Sequence, residues 1–219
     1  MKKISMFLPK EGPIETVSCK RAHEIMGPDM IGVDYASKFF GVDFQAQGDI
    51  HCSESTLKLY NEEGMSTLVW VPPLKTIYDI SKILDNKRRD LIYDSLKYSK
   101  HSFFNESAYS HSGWQLISKV PVHGSTNRTW EKQQVFISKK VEIPSAFAVI
   151  YTVIMTYILT GERLLGQISV RCSDTISDNR FGNLRRHIDV GHFDNKLHIS
   201  DSGDQAYGFI GIILSRKLN

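Results

Sequence analysis

Five side chains able to ligate a metal fall close together near the end of the chain: His187, Asp189, His192, Asp194 and His198. Asp194-Asn195-Lys196 between them predicts a hairpin turn. Such a turn sets His192 opposite His198, where two imidazoles can share one ion and Asp189 or Asp194 can add a carboxylate. A metal-binding enzyme built on a His187/His192/His198 hairpin is therefore one reading. Neither HExxH nor any other tight ligand spacing accompanies it, so no metal or other cofactor is expected. Asp174, Asp178 and Asn179 suit calcium by composition only.

Nucleophilic chemistry has less to work with. There is no GxSxG elbow, and Gly124-Ser125-Thr126-Asn127-Arg128 lacks the GK[ST] of a phosphate loop. That stretch reads as a turn whose Ser, Thr and Asn side chains bond the local backbone. The three cysteines, Cys19, Cys52 and Cys172, are far apart and form no CxxC. Free thiols in a reducing compartment are expected, with Cys172 a small buried hydrophobe. The sequence thus leans away from an enzyme.

Recognition chemistry is better represented. In Leu184–Phe193 the set Leu184, Arg186, Ile188 and Val190 alternates with Arg185, His187, Asp189 and Gly191. A strand of this kind has one apolar and one polar side, although Arg186 interrupts the apolar set and leaves the register open. Arg, Asn and Tyr recur at recognition surfaces, and Asn179 and Gln205 lie nearby in sequence. The candidate ligand-binding residues are Arg180, Asn183, Arg185, His187, His198, Ser200, Asp204 and Tyr207.

The elements that must position these residues follow from local signals. Ser18 caps a helix running to Met26, stopped by Gly27-Pro28, and Asp34 caps another running to Phe40, stopped by Gly41. The pair offers too few long polar groups for a DNA-reading helix-turn-helix. Ser66–Pro72 predicts a strand. Ile77, Ile80, Ile83, Leu84, Leu91, Ile92 and Leu96 predict a helix, with Lys87-Arg88-Arg89 on its solvated side. Residues 99–112 read as a linker. Trp114–Val120 predicts a strand, and Thr129 caps a helix from Trp130 to Ile137.

Residues 143–161 carry no charge, with Pro144 at one end and Gly161 at the other. Thr152, Thr156 and Thr160 share one helical face. This predicts a helix buried on most sides with one semi-polar stripe, Pro144 in its first turn, rather than a membrane span. Strands at 168–172, 184–193, 197–200 and 207–215 follow as an antiparallel meander. The class is α+β: a small, mainly helical unit over residues 1–110 and an α+β domain over 111–219.

Four short pieces carry a resemblance: Thr129-Trp130-Glu131, Ile143-Pro144-Ser145, Val170-Arg171-Cys172-Ser173-Asp174 and Gly211-Ile212-Ile213-Leu214-Ser215-Arg216. In this order they resemble the C-type-lectin-like fold, in the branch of formylglycine-generating enzymes and retroelement variable proteins. The whole chain also resembles uncharacterised bacterial and phage proteins, through Ala22–Gly27, Gly124–Asn127, Gly161–Leu165 and Val170–Asp174. The resemblance implies a scaffold of two helices and a meander displaying a binding face. Formylglycine-generating enzymes use paired cysteines, which Cys172 alone does not supply.

With 27 Lys and Arg against 24 Asp and Glu, no charge footprint points to nucleic acid. At 219 residues, 41% hydrophobic and 23% charged, the chain is globular rather than disordered or collagen-like. The apolar run at the start is broken by Pro9 and Lys10, so no cleaved signal is expected. A cytoplasmic or virion-associated protein that binds a protein or surface-displayed ligand is expected, with a phage or mobile-element structural role as the other alternative.

Overall fold

The computed structural model describes residues 15–45, 49–64, 66–73, 75–86, 90–94, 112–178 and 184–218. Among them the chain is α+β, with six α-helices and nine strands in two mixed sheets. Helix α1 (Cys19–Met26) starts where the Ser18 hydroxyl accepts the Arg21 N–H and stops at Gly27, whose φ is 55°. Helix α2 (Val33–Phe40) starts one residue before the expected cap. Gly32 takes the N-cap position without a side-chain bond, and Asp34 sits in the first turn, where a carboxylate favours the helix dipole. Strand β1 (Met30–Ile31) lies between the two helices and pairs in parallel with β2 (Ser66–Val71), so they are not a helix-turn-helix.

Two first-half assignments change. No element is legible between Gly41 and Ser66, yet α3 (Glu54–Glu63) lies there, capped by Ser53 and closed by Gly64 in the left-handed region. Its Ser, Thr and Asn content obscures a stripe of Thr56, Leu57 and Tyr60. The helix read from Ile77 to Leu96 is α4 (Ile77–Asn86) only. It opens with a reciprocal box: the Thr76 N–H donates to Asp79 Oδ2 at 2.8 Å and the Asp79 N–H to Thr76 Oγ1 at 3.2 Å. Ile92 belongs instead to β3 (Ile92–Asp94), where a long-range partner claims the backbone. Lys87, Arg88 and Arg89 lie outside the described residues, as does most of the 99–112 linker.

The remaining strands are β4 (Gly113–Ser118), β5 (Ser169–Asp178), β6 (Leu184–Gly191), β7 (Leu197–Ser202), β8 (Ile210–Gly211) and β9 (Ser215–Lys217). One sheet runs β1-β2-β4-β9 and the other β3-β7-β6-β5-β8. β5, β6 and β7 form the antiparallel meander. The strand read over 207–215 is two strands in different sheets: β8 runs parallel to β5, and β9 antiparallel to β4. Ile212 and Leu214, between them, pack on Val141 and Ile143 in a second small core, which pulls the chain from one sheet to the other. Strands from both sides of residue 110 build both sheets, since β2 pairs with β4 and β3 with β7.

Both sheets are organised by helix α6 (Ala146–Thr160), whose residues are buried from Ala146 through Thr156. Ser145, not a residue of the first turn, caps it, and Pro144 lies just outside. The Asp174 carboxylate accepts the Ala146 N–H at 2.5 Å, and the Ser173 N–H donates to Pro144 O at 3.0 Å. Of the semi-polar threonine stripe, Thr152 and Thr156 are buried and Thr160 is exposed. Thr152 Oγ1 donates back to Ala148 O at 2.7 Å, which removes its need for water. Tyr151 stacks between Phe147 and Phe40, joining α6 to α2. No helix among the described residues is long and apolar enough to cross a membrane.

One close crossing tests this packing. A Cβ at Gly191 would stand 2.2 Å from Ile168 O and 2.4 Å from Ser169 Cα, both backbone atoms. Gly191→Ala is expected to lower unfolding free energy by roughly 2–4 kcal/mol in urea titration. Gly161→Ala at the α6 terminus, where φ is 78° in open space, should lower it by only about 1 kcal/mol.

Candidate functional site: a clamped loop on the polar sheet face

The alternation in β6 is real. Ile188 and Val190 join Val170, Cys172, Leu197 and Ile199 in the core. Arg186, on that same side, ends the apolar surface with an ion pair: its Nε lies 2.6 Å from Asp201 Oδ1, and Nη2 donates to Asp201 O at 3.3 Å. The interruption seen in sequence is therefore the rim of the core.

The opposite, polar side departs from the solvated face expected of it. His187 is 2% exposed and Asp189 1%. They lie beneath a lid made from α5 (Trp130–Gln134) and the 203–209 loop. Helix α5 begins at the expected Thr129 cap but is shorter than expected, ending at Gln134. Trp130 N donates to Asp204 O and Asn127 N to Tyr207 O, both at 2.9 Å, so the two segments of the lid hold each other. The Trp130 and His187 rings lie 3.9 Å apart between centroids, and His187 Nε2 is 3.1 Å from Asp204 Oδ1.

Arg171 of β5 fastens this lid from below and is fully buried. Its Nε donates to Ser202 Oγ at 3.0 Å. Nη1 donates to Gln133 Oε1 at 2.9 Å and to Arg128 O at 3.4 Å; Nη2 donates to Gly203 O at 2.8 Å and to Gln205 O at 2.5 Å. The guanidinium also lies over the Tyr207 ring, 5.4 Å from its centroid. Directly after Arg171 the β5–β6 register shifts, resuming at Thr175. That irregularity places Ser173 and Asp174 at the start of α6 while Arg171 points into the lid.

Gln133, buried as well, relays the clamp. Its Nε2 donates to Ser125 O at 2.8 Å and to Ile210 O at 3.3 Å. Ser125 was expected to bond its own turn. Instead its Oγ accepts the N–H of Ile212, far along the chain, at 3.1 Å.

Burial sets the electrostatics. It pushes the Asp189 carboxyl up to about 7, against the opposing pull of the Ser202 hydroxyl and the Arg171 charge. It pushes His187 down, while Asp204 pulls it back up. Burial also lowers Arg171, and the Asp189 charge works against that. The inner half of the polar face thus holds buried ionisable groups whose charges act on one another.

The outer half is open. His198 is exposed, Ser200 and Tyr207 are half-buried, and Asp204 and Arg185 are exposed, with Arg185 Nε donating to Thr175 Oγ1 at 3.1 Å. Arg180, Asn183 and Asn179 lie outside the described residues. Two residues absent from the sequence-based set join this half. Tyr93, which the helical reading had absorbed, is 48% exposed, and Phe209 is 52% exposed. With His198, His192 and Tyr207 they form a row of neighbouring rings.

The metal hairpin does not assemble. His192 and His198 approach with ring centroids 6.4 Å apart, but His187 is turned under the lid against Trp130. Among the described residues no three His, Cys, Asp or Glu side chains are grouped to hold an ion. Asp174 is committed to the α6 terminus. No protein-family model matches the chain, no curated protein matches it, and no solved structure matches it.

Two outcomes follow from the network. Arg171→Met leaves Ser202, Gln133 and the loop carbonyls without their donor, and should lower stability by roughly 3–5 kcal/mol in chemical denaturation. Asp189 has a folded pKa above its unfolded value, so it favours the folded state at low pH, and that contribution fades as pH rises from about 4 to about 7. Asp189→Asn should therefore gain stability relative to the parent protein across that window, by a few kcal/mol in all. A pH series of melting temperatures for both proteins measures this, and a constant gap would contradict it.

Proposed function

We propose that the chain is a ligand-recognition protein that works by non-covalent binding, with residues 111–219 as a C-type-lectin-like scaffold and the open half of the polar sheet face as its binding surface. One observation carries this reading. Ring and polar side chains, among them the exposed His198 and Asp204 and the half-buried Tyr207, lie on or beside a loop that Arg171 holds in place. A surface held in one conformation before binding loses less entropy on association than a loose one.

The scaffold part rests on the pieces that carry the resemblance. Trp130 lies in a helix, Ser145 caps the next helix, and Ser173 and Asp174 sit at the β5 irregularity, bonded to that helix start. The β4–β9 pairing brings the two ends of the module together, leaving the intervening loops and meander for display. The expected ligand is a protein or another surface-displayed molecule, and the setting a cytoplasmic or virion-borne one.

The test is a screen of the purified chain on peptide and glycan arrays, followed by solution titration of whatever binds. Changing Arg185, His198 and Tyr207 together to Ala should weaken that binding more than about tenfold, with the far-ultraviolet spectrum retained. Equal affinity in the folded triple variant would refute the assigned face.

A further inference from the structure

The open half of the face has a definite chemistry. Its rings run in the order Tyr93, His198, His192, Phe209, Tyr207, with successive centroids 4.9, 6.4, 5.8 and 6.1 Å apart. Successive ring planes are inclined by 45°, 73°, 52° and 52°. The row is therefore a series of ridges and valleys rather than a flat platform. Polar atoms interrupt it at intervals: the Tyr93 hydroxyl, the ring nitrogens of His192 and His198, and the Tyr207 hydroxyl, which donates to Gln205 Oε1 at 3.2 Å. Tyr93 and His198 are exposed and His192 is half-buried, so the row borders solvent.

Among the described residues the cations nearby are held within the protein. Lys196 is paired with Asp90, Arg186 with Asp201, and Arg171 with the loop carbonyls beneath the row. Arg185 stands at the opposite end of β6, opposite Ser177 rather than near the Gly191–His198 pair. A nucleic acid strand needs a cationic track beside its stacking rings, which these cations do not supply. A globular partner needs some 20–30 residues a side, far more than this narrow row.

A polyproline II segment has the complementary features. Its pyrrolidine rings present C–H edges that seat between inclined aromatic rings. Its backbone has carbonyl acceptors without internal partners, and few N–H donors. It arrives already extended, so binding orders little more of it.

We propose that the row from Tyr93 to Tyr207 is a docking site for an uncharged, proline-rich peptide segment of a partner protein, seated between the rings and hydrogen-bonded through its carbonyls. This deepens the recognition reading and rests on it.

Fluorescence anisotropy on the full chain tests the assignment, with a labelled decaproline peptide, a panel of twelve-residue peptides containing PxxP, and a Gly/Ser peptide of equal length. Proline-rich peptides should bind at about 1–100 μM, as is usual for a short docked segment, and the Gly/Ser peptide should not. Tyr93→Ala with Phe209→Ala should weaken binding at least about tenfold, while Leu59→Ala, on the exposed side of α3, stays within about twofold. Tyr93→Phe, which keeps the ring and loses the donor, should fall between parent and double variant.

Equal binding of the proline-rich and Gly/Ser peptides would overturn the assignment. So would unchanged proline-rich binding in the folded double variant. If an arrayed glycan or oligonucleotide binds instead and the double variant loses it, the proline assignment falls while the recognition face stands. If neither the double variant nor the triple variant alters binding of any ligand found, the face falls with it.

Discussion

A guanidinium buried in a protein must be met by acceptors on every side, because leaving a charge unpaired in the interior costs several kcal/mol. Arg171 meets that constraint with Ser202, Gln133 and the carbonyls of Arg128, Gly203 and Gln205. These acceptors come from two stretches, 128–133 and 202–205, that are distant in sequence from Arg171 and from each other. The 203–209 loop cannot lift without stranding the cation, nor can α5 move away without taking Gln133 along. One side chain therefore decides that the inner half of the sheet's polar side is closed and that its outer half is presented in a fixed shape.

The same strand ties that closed network to the core. Beyond Arg171, β5 breaks register and delivers Asp174 to the first N–H of α6. On its other side β5 packs Val170 and Cys172 into the core. Helix α6 also meets the first-half elements, stacking Tyr151 on Phe40. Lys119, after β4, is ion-paired with Asp29, adding a polar tie between the halves of the chain. A perturbation at Arg171 thus reaches the helix terminus through a few covalent bonds, which fits a display surface whose geometry is set by the core.

In the proposed recognition reading the two halves of the polar side differ in role. Inside, burial pushes the Asp189 carboxyl up and lowers His187 and Arg171. Outside, the rings border solvent, and among the described residues Arg186 and Lys196 are ion-paired within the protein. The proposed recognition of a proline-rich segment draws only on the outer half, with the inner half acting as its foundation.

Much of the local structure was legible because its causes are local. Ser18 and Thr129 accept N–H groups three residues on, and Gly41 and Gly161 stop helices through left-handed backbone. The uncharged stretch before Gly161 could be satisfied only by burial, and the β5–β7 meander followed from alternation and turn residues. The α+β class was legible for these reasons. Helix α3 escaped because its stripe is written in Thr and Tyr as well as Leu, and β3 because two or three aliphatic residues suit a helix and a strand equally.

The site shows the limit most clearly. Alternation separates the two sides of β6, but it carries no information about what covers either of them. The cover comes from residues 125–133 and 203–209, brought together by contacts such as Ser125 with Ile212 and Gln133 with Arg171. His187 and Asp189 therefore read as solvated ligands in one dimension and are buried in three, while Tyr93 and Phe209 gain their place only where strands far apart in sequence converge. Residue types and caps determined the elements and their polarity; the burial of one charge, which is a property of the packed whole, decided which polar groups meet solvent.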